Sequence, residues 1–444
     1  MNHLDRMRYY YQLGSEKVDF NLKGDLPHIR NSFERLTELV GDTHNAIYGI
    51  HTGYGHNVCD MKDPDNWKQD QLLLLNYLKV GVGEPLPNQV VRRALRIQAL
   101  KVCKGFSGTS PEVFQKLCEL SQRKRMPKVP RYGSLGASGD LIPMAHAVAP
   151  IFDEVSPTGP RDVISLVNTN SMMASYALEN FYRLQEIQKQ CVTFMAQATI
   201  GVDANMQHFK EEGFAMNPQS EYADVGAMVR AERQKFLNLF EMAENTEISC
   251  VQEKYSIRCF PQVMGQICRN LKYTQQIILD EIEQVSDNPL ILPNGKAWHG
   301  GHFYASGLAT AADMMRDACY KLSEVVDRVV LILMDQNLSK GLPNNLQVDS
   351  IDHVKGIHQL ISALLQRMRG LCLPSNMMSF SCESNNQDIV PCSMNAQNQL
   401  HDLLDLTSKV LKAGLFCSER AALIRLEQHI PVRLRLDYWR ENHV

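Results

Sequence analysis

Residues 131–146 have the sequence Arg-Tyr-Gly-Ser-Leu-Gly-Ala-Ser-Gly-Asp-Leu-Ile-Pro-Met-Ala-His, and the rest of the chain is best understood around them. Glycine recurs at every third position: Gly133, Gly136 and Gly139. Glycine reaches backbone conformations with positive φ and permits close approach of other atoms. Asp140 and Pro143 then stand where a helix would begin, before an apolar run that ends at Val148. The stretch therefore predicts a tight loop that leads directly into the N-terminus of a helix.

Two functions suit a glycine-rich loop before a helix. One is the binding of an anion or phosphate by the loop amides and the positive end of the helix dipole. The other is chemistry of the backbone itself at Ala137, Ser138 and Gly139. A capped helix start without any chemistry is the usual explanation of a short glycine-containing motif. The residues of the loop alone leave these three interpretations open.

Length and composition set the broad class. The 444 residues suffice for one large domain or several ordinary ones, and 44% hydrophobic with 21% charged residues is typical of a globular protein with a sizeable core. A net charge of −3 without a sustained basic tract argues against nucleic acid as a partner. No apolar run has membrane-spanning length, and the first residues do not begin a signal peptide. We therefore expect no membrane association and predict a cytoplasmic protein.

The cysteines give no sign of a metal site. The chain has 12, scattered singly from Cys59 to Cys417 without a Cys-x-x-Cys pair. This pattern predicts free thiols in a reducing compartment and argues against a zinc site.

Apolar spacing of helical period extends over much of the chain. It predicts helices over about 26–41, 304–340, 355–370 and 394–428, and over 69–105 with a break at 81–85. In the long segment 304–340 the spacing is carried by Leu308, Ala312, Met315, Ala318, Leu322, Val325, Val329 and Leu333. Helices of this length are typical of core-forming bundle elements, and the methionines among them are expected to pack there.

The stretch from Gly133 to His146 resembles the signature of the histidine, phenylalanine and tyrosine ammonia-lyase family. The resemblance implies that Ala137, Ser138 and Gly139 cyclise autocatalytically, the amide nitrogen of Gly139 attacking the carbonyl carbon of Ala137. Loss of two waters then leaves an exocyclic methylidene on the former Ser138. The product is 4-methylideneimidazol-5-one (MIO), an electrophilic prosthetic group. A bent backbone and a nearby positive helix end suit both its formation and its reactivity.

Residues 48–55, Tyr-Gly-Ile-His-Thr-Gly-Tyr-Gly, are similar to the family motif Tyr-Gly-x-x-Thr-Gly-Phe-Gly. The resemblance gives Tyr48 the role of catalytic base, with His51 and Tyr54 as departures from the pattern. An ionised tyrosine at neutral pH requires a pKa well below the ordinary value of about 10, so we expect Tyr48 to lie in a positive site. Without the resemblance, a tyrosine in a loop is more often a packing residue.

The helix before the break at 81–85 corresponds to the family helix that contacts the substrate ring. The alignment places Leu78 and Lys79 at the ring-contact pair, with an uncertainty of one residue. A lysine is unexpected beside a neutral ring. Lys79 either points to solvent or needs a carboxylate partner, because an unpaired buried ammonium is costly.

Residues 164–173 resemble the family segment Leu-Val-Asn-Gly-Thr. The resemblance places Asn168 in the catalytic set, as the asparagine that hydrogen-bonds near the prosthetic group and the substrate. Thr169 and Asn170 replace the usual Gly-Thr, which bears on substrate identity and on maturation. An asparagine before a helical run is otherwise an N-cap.

Residues 251–265 are similar to the family motif Gln-Asp-x-Tyr-Ser-x-Arg-Cys-x-Pro-Gln-x-x-Gly. The resemblance implies that Arg258 binds the substrate α-carboxylate, a role that suits the planar guanidinium. Tyr255 would assist catalysis near the amine and the prosthetic group, and Gln252 would support substrate binding. A lone arginine would more often belong to a structural ion pair.

Two further segments carry substrate-binding candidates. In Gly300-Gly301-His302-Phe303-Tyr304, His302 replaces a family asparagine that lies near the substrate carboxylate, and it could titrate near neutral pH. Glu383-Ser384-Asn385-Asn386-Gln387-Asp388 resembles the family's Glu-x-x-Asn-Gln-Asp. The resemblance places Glu383 and Gln387 near the amine and ring ends of the substrate.

The resemblance extends from Tyr48 to Asp388 through motifs in the family order. It implies a mainly α fold of the L-aspartase/fumarase-like superfamily, with a long-helix bundle core and a smaller mixed N-terminal region that carries the MIO loop. We expect an N-terminal domain over 1–190, a central helical bundle over 191–444, and no C-terminal shielding domain. A homotetramer with active sites shared between subunits is also implied.

The implied activity is elimination of ammonia from an aromatic or heteroaromatic L-amino acid of the histidine, tyrosine or phenylalanine type. Three alternatives use the same observations. A 2,3-aminomutase returns ammonia to the β-carbon. An atypical amine lyase acts on a modified or acidic-tailed amino acid, which Lys79, Thr169, Asn170 and His302 favour. A non-enzymatic binding protein on the same fold is disfavoured by the intact Ala137-Ser138-Gly139, Tyr48 and Arg258.

Overall fold

The computed structural model describes residues 2–22, 26–41, 46–244 and 250–443, and these residues are mainly helical. The helices are α1 (His3–Gln12), α2 (Leu26–Val40), α3 (Trp67–Leu78), α4 (Asn88–Val102), α5 (Pro111–Gln122), α6 (Leu141–Glu154), α7 (Ile164–Val167), α8 (Ser171–Gly201), α9 (Ser220–Asn238), α10 (Tyr255–Arg258), α11 (Phe260–Glu283), α12 (Ser306–Leu333), α13 (Lys355–Arg369), α14 (Ser393–Arg425) and α15 (Leu436–His443). The longest are α8 with 31 residues, α11 with 24, α12 with 28 and α14 with 33. The prediction of a mainly α fold built on long helices is confirmed.

Strands make a small contribution to the described residues. Strand β1 (Val82–Pro85) pairs antiparallel with β2 (Pro130–Tyr132), and Val82 lies opposite Tyr132. Strand β3 (Leu290–Ile291) pairs antiparallel with β4 (Ala297–Trp298). Strand β2 ends at Tyr132, so the glycine-rich loop begins directly after this strand, at Gly133.

The chain divides into two compact units, each discontinuous in sequence. Unit 1 comprises residues 1–181, 274–313 and 374–398, and unit 2 comprises 182–273, 314–373 and 399–444. The glycine-rich loop belongs to unit 1 together with α1–α7. The expected division into 1–190 and 191–444 stays a prediction about folding domains.

The helical segments agree with the apolar spacing of the sequence. All eight residues chosen for the segment 304–340 are buried in α12. Helix α13 buries Ile357, Ile361, Leu365 and Met368, which form one stripe along the helix. The predicted segment 69–105 is formed by α3, β1 and α4, with the strand at the break.

Local signals explain where the helices near the loop begin. The hydroxyl of Ser110 accepts a hydrogen bond from the amide of Val113, 3.4 Å away, and Pro111 occupies the first turn of α5. Helix α6 follows Asp140 directly, as the sequence predicts.

No described helix is both long and apolar enough to cross a membrane. All 12 cysteines are free thiols, as predicted, and the cytoplasmic location stays a prediction.

Candidate active site

The glycine-rich loop forms a turn that only glycine can build. Gly136 and Gly139 have φ of 78° and 72°, and their backbones face each other in an isolated antiparallel bridge. A side chain at Gly136 would lie 1.8 Å from Ser393 Oγ, and one at Gly139 would lie 2.2 Å from the carbonyl oxygen of Thr169. Positive φ and close approach, both predicted from the sequence, are therefore confirmed. The turn between them presents Ala137 and Ser138.

Ser138 is held from two directions. The side-chain amide of Asn168 donates to the Ser138 carbonyl oxygen at 2.9 Å. The side-chain amide of Gln387 donates to the Ser138 hydroxyl at 3.0 Å. The Ser134 hydroxyl donates to the Gly139 carbonyl oxygen at 2.9 Å and completes the support of the turn. The hydroxyl and the carbonyl of Ser138 are thus both oriented by amide donors.

Asp140 joins the loop to α8. Its carboxylate accepts hydrogen bonds from the backbone N–H groups of Met172 at 2.6 Å and Met173 at 3.1 Å. Its own backbone N–H donates to the Thr169 carbonyl oxygen at 2.5 Å. These contacts use the amides at the start of α8, and the Gly136 amide donates to Ser134 Oγ at 3.1 Å. An anion-binding role for the loop is disfavoured, since amides it would use already have protein partners.

A cavity of about 570 Å³ in unit 1 opens beside Ser138. Five kinds of polar side-chain group line it: the phenols of three tyrosines, the amides of four residues, one serine hydroxyl, one imidazole and one carboxylate. The aliphatic and phenyl side chains form the remainder of the wall. The lining residues are Tyr48, Tyr54, Gly55, Val58, Leu74, Tyr77, Leu78, Ser138, Leu141, Ile164, Asn168, Asn288, His299, Gly300, Phe303, Glu383, Asn386 and Gln387.

Tyr48 lies in the wall of this cavity, and its phenol has a defined partner. The backbone N–H of Gly55 donates to the Tyr48 hydroxyl oxygen at 2.8 Å. The backbone N–H of Tyr48 donates to Nε2 of His299 at 3.2 Å. The loop 48–55 therefore supplies both the phenol and the amide that contacts it. The role of Tyr48 as catalytic base stays a prediction.

The expected direction of the Tyr48 pKa is wrong. Burial raises the pKa of the phenol above its ordinary value, and the Glu383 carboxylate raises it further. The Gly55 amide and the buried guanidinium of Arg161 act in the opposite direction, but they do not outweigh burial. The physical reason is desolvation, which disfavours the phenolate.

Glu383 and Gln387 lie in the same wall, in a turn of unusual conformation. Glu383, Ser384 and Asn385 have φ of 52°, 53° and 65°. The Glu383 carboxylate accepts hydrogen bonds from the side-chain amides of Asn386 at 2.8 Å and Gln387 at 3.0 Å. Gln387 therefore links the carboxylate to the Ser138 hydroxyl. Both residues line the cavity. Their assignment to the amine and ring ends of a substrate stays a prediction.

Of the predicted ring-contact pair, only one residue lines the cavity, and contact with a substrate ring stays a prediction. Leu78 is buried and lines the cavity, whereas Lys79 is exposed and is absent from the lining. Tyr77 lines the cavity in place of Lys79. The reason is that α3 ends at Leu78, so the next residue leaves the helix and turns away. The alignment with the family is uncertain by one position, and the end of α3 at Leu78 favours Tyr77 and Leu78 as the residues that face the cavity.

His302 does not line the cavity either. It is exposed, and its ring stacks on Trp298 with the centroids 4.7 Å apart. The cavity wall instead receives His299, Gly300 and Phe303 from this segment. His302 therefore lies outside the wall of this cavity, and its role near a substrate carboxylate stays a prediction. Gly300 and Gly301 indicate that the backbone of this segment can approach the cavity closely. They do not indicate that His299, and not His302, lines it.

Gln252, Tyr255 and Arg258 belong to unit 2. Gln252 and Tyr255 are exposed, and Tyr255 begins the short helix α10. The Arg258 guanidinium lies over the Tyr255 ring, 4.6 Å from its centroid. Its Nε is buried and has no hydrogen-bond partner among the described residues. The role of Arg258 toward a substrate carboxylate stays a prediction.

Sequence reasoning missed the charged support beneath the cavity. Arg161 is fully buried, pairs with Asp287 at 2.8 Å and donates to the Asn288 carbonyl oxygen at 3.3 Å. Asn288 in turn accepts a hydrogen bond from the Gly300 amide at 2.9 Å. These residues are far apart in sequence, so spacing alone could not reveal the pairing.

The turn fits the prosthetic group that its sequence suggests. Backbone cyclisation requires a tight turn that brings residues 137 and 139 together, and the positive φ of Gly136 and Gly139 permits such a turn. It also requires the Ser138 hydroxyl to be accessible for elimination, and this group lies in the cavity wall with one amide donor. Ala137, Ser138 and Gly139 with Asn168 and Gln387 are the residues that would form and hold it.

Comparisons with known proteins agree on one family. A family model described as aromatic amino acid lyase matches residues 14–156 and 153–435. Histidine ammonia-lyase from Natranaerobius thermophilus is 28% identical over 412 residues, covering 87% of this chain and 80% of the relative. Tyrosine 2,3-aminomutase from Myxococcus fulvus is 28% identical over 419 residues, covering 85% and 79%. The structure of phenylalanine aminomutase from Pantoea agglomerans superimposes with a TM-score of 0.85 at 22% identity, covering 98% of this chain and 91% of that chain. This last likeness concerns the fold.

Proposed function

The chain belongs to the aromatic amino acid lyase family, and on this premise we propose that it is an MIO-dependent ammonia-lyase. It eliminates ammonia from an aromatic or heteroaromatic L-amino acid and yields the α,β-unsaturated acid. One observation carries the proposal: Ser138 is held by Asn168 and Gln387 in the wall of the cavity that also contains Tyr48. The site therefore combines a residue that can become an electrophile with a residue that can accept a proton.

The prosthetic group forms from atoms of the chain alone. The Gly139 nitrogen bonds to the Ala137 carbonyl carbon, and that carbonyl oxygen leaves as water with the N–H protons of Gly139 and Ser138. The Ser138 hydroxyl and its α-hydrogen leave as the second water. When present, MIO supplies an electrophilic methylidene that converts the substrate amine into a better leaving group. Asn168 supports this chemistry, since it donates to the Ser138 carbonyl and withdraws electron density from the atoms bonded to it.

Tyr48 removes the β-proton of the substrate. Its phenol must first ionise, which burial opposes. The Gly55 amide and the Arg161 guanidinium favour the phenolate, and a bound substrate carries its ammonium into the same cavity. The aromatic ring of the substrate would lie against the apolar wall that includes Leu74, Leu78 and Phe303.

Arg258 binds the substrate α-carboxylate, and Tyr255 and Gln252 assist. The support is the match of residues 251–265 to the family motif and the planar guanidinium of Arg258, which suits a carboxylate. We further propose a homotetramer in which subunits share active sites. Exposed apolar side chains in unit 1 favour an association of copies, among them Met61 at 70%, Val80 at 62% and Val82 at 65% exposed. Light scattering of the purified protein measures the number of subunits.

Intact mass spectrometry tests the proposal. Cyclisation lowers the mass of the chain by about 36 Da, the mass of two waters. We expect this loss in the wild type and its absence in Ser138→Ala. A panel of aromatic amino acids, followed by the ultraviolet absorbance of the unsaturated acid, then identifies the substrate. Equal masses for the wild type and for Ser138→Ala, after correction for the substitution, would contradict the proposal.

A 2,3-aminomutase is the second candidate, because aminomutases occur among both the sequence relatives and the structural neighbours. The two activities share the same cyclised loop and differ in product. Chromatography of the reaction mixture separates a β-amino acid from an unsaturated acid. An atypical amine lyase on a modified or acidic-tailed amino acid stays a further alternative, although Lys79 and His302, two of the residues that suggested it, are exposed outside the cavity wall.

A further inference from the structure

A buried polar network lies directly behind the glycine-rich loop, with Lys101 of α4 at its centre. Lys101 is only 3% exposed. Its ammonium donates to Ser286 Oγ at 2.9 Å, to the Glu281 carbonyl oxygen at 2.9 Å and to Oδ1 of Asn170. An ammonium has three donors, and all three are used. Lys101 is therefore fixed in place by residues of α11 and of the two segments that precede α8 and β3.

Asn170 connects the cation to a carboxylate. Its Oδ1 accepts from Lys101, and its Nδ2 donates to the Glu281 carboxylate. Asn170 has no exposed surface. A primary amide can accept at one atom while it donates at the other, so Asn170 satisfies both charged neighbours at once. This explains why an asparagine replaces the usual threonine in a chain that buries a lysine here, since a buried charge without a partner is costly.

The charges around Lys101 come from several elements. It faces two acidic groups, Glu281 and Asp140, and one basic group, Lys104. Burial lowers the pKa of Lys101 to about 7, and burial raises the pKa of Glu281 to about 7. Each of these two groups therefore favours the charged form of the other, Lys101 as the cation and Glu281 as the anion. Removal of one partner is expected to disturb the geometry of the other.

The network reaches the loop through residues 168–170. The Thr169 hydroxyl lies 3.1 Å from Ser286 Oγ, which is itself bonded to Lys101. The Thr169 carbonyl oxygen accepts from the Asp140 amide at 2.5 Å and packs against Gly139. Asn168 precedes it and donates to the Ser138 carbonyl. One short segment therefore contacts Lys101 and Glu281 on one side and the Ala137–Gly139 turn on the other.

We propose that Lys101, Asn170 and Glu281 are positioning residues for cyclisation of the loop. They hold Asn168 and Thr169 so that the Gly139 nitrogen stays directed at the Ala137 carbonyl carbon. The inference rests on the proposed function, because it concerns the formation of the same prosthetic group. It differs from an ordinary structural role in one respect: loss of the network slows cyclisation in protein that is still folded.

The test compares cyclisation in matched variants. Glu281→Gln removes the carboxylate, Asn170→Ala removes the connecting amide without changing any charge, and Lys101→Met/Glu281→Gln removes both charges. The control is Glu179→Gln, since Glu179 pairs at 2.9 Å with Arg93, a buried cation on the same helix α4. Each protein is purified soon after brief expression, and the fraction that has lost two waters is followed by intact mass. Circular dichroism and the melting temperature establish that each variant is folded.

We expect Glu281→Gln and Asn170→Ala to cyclise about tenfold more slowly than the wild type or worse, as small misplacements of reacting groups do. The double variant is expected to cyclise faster than Glu281→Gln, because it does not leave the buried Lys101 ammonium without the Glu281 carboxylate. Glu179→Gln is expected to match the wild type. If the charge variants do not fold, Asn170→Ala alone decides.

The outcomes distinguish the two proposals. If Glu281→Gln and Asn170→Ala lose two waters as fast as the wild type does, the positioning role is overturned. The proposed function is left intact in that case. Equal slowing in Glu179→Gln also overturns it, since any loss of a buried ion pair would then have the same effect. The absence of mass loss in the wild type overturns the proposed function and this inference together.

Discussion

The hydroxyl oxygen of Tyr48 lies 2.8 Å from the backbone nitrogen of Gly55, which donates a hydrogen bond to it. An amide donor stabilises a phenolate more than a phenol, so this contact favours the form of Tyr48 that can accept a proton. The Glu383 carboxylate acts against it and raises the pKa of Tyr48. A side chain at Gly55 would lie 1.6 Å from that carboxylate, so the amide donor and the opposing charge are close neighbours.

The pH dependence of catalysis should follow from the Tyr48 phenol and the Glu383 carboxylate. We expect kcat/KM to rise with pH as Tyr48 ionises, because the profile of kcat/KM reports the free enzyme. Glu383→Gln removes a negative charge that raises the pKa of Tyr48, so the rising limb should move to lower pH. The measurement is kcat/KM against pH for both proteins. Glu112→Gln, an exposed position on α5, is the control and should leave the limb in place. A shift to higher pH in Glu383→Gln would contradict the electrostatic argument.

Tyr48 and Tyr54 should differ sharply when each is replaced by phenylalanine. Their rings lie 6.0 Å apart in the same cavity wall, yet only Tyr48 has a hydrogen bond to a described group at its hydroxyl, and the Tyr54 hydroxyl is buried without one. We expect Tyr48→Phe to lower kcat by about 10²- to 10⁴-fold, the usual effect of losing a general base. Cyclisation should be unaffected, so the loss of two waters measured by mass is retained.

Tyr54→Phe serves as the matched variant. Removal of a buried hydroxyl that lacks a partner is neutral or stabilising, so the free energy of unfolding should stay the same or rise by about 1 kcal/mol. Activity should remain within a few-fold of the wild type. If Tyr48→Phe and Tyr54→Phe lowered kcat equally, the assignment of Tyr48 as the base would be contradicted.

Much of this architecture could be predicted from sequence because its signals are local. The positive φ of Gly136 and Gly139 and the start of α6 after Asp140 follow from residue type and order. The apolar stripe of α12 follows from helical periodicity. The position of Asn168 beside Ser138 came from resemblance to a family, not from any rule of spacing.

The remaining features depend on contacts between distant segments. The pairing of Arg161 with Asp287 and of Lys101 with Asn170 joins residues that no periodicity relates. The exact end of α3 decided whether Lys79 entered the cavity, and helix ends are the least certain part of a sequence-based prediction. The direction of the Tyr48 pKa was mistaken because it depends on burial, which the sequence of a loop does not reveal.

The buried pair of Arg161 and Asp287 should be important for stability. Arg161 is fully buried and Asp287 is 3% exposed. Arg161→Met leaves an unpaired carboxylate in the interior, so we expect a loss of about 3–5 kcal/mol in the free energy of unfolding. Urea denaturation followed by circular dichroism measures it. Lys116→Met removes a cation from a solvent-screened pair on α5 and should lower the free energy of unfolding far less than Arg161→Met does. Similar losses in both variants would contradict the argument from burial.

The last prediction concerns which residue of α3 meets the substrate ring. Leu78 lines the cavity and Lys79 is exposed beyond the end of the helix. Leu78→Ala removes apolar contact with the ring, and a change of this kind in a hydrophobic pocket is worth about 1–3 kcal/mol. We therefore expect kcat/KM for the preferred amino acid to fall by about 10- to 200-fold, with the mass loss of cyclisation unchanged. Lys79→Ala should leave kcat/KM within a few-fold of the wild type. If Lys79→Ala instead changed the preference among aromatic amino acids while Leu78→Ala did not, the ring would contact the position after the helix, and the placement of the substrate in this cavity would be wrong.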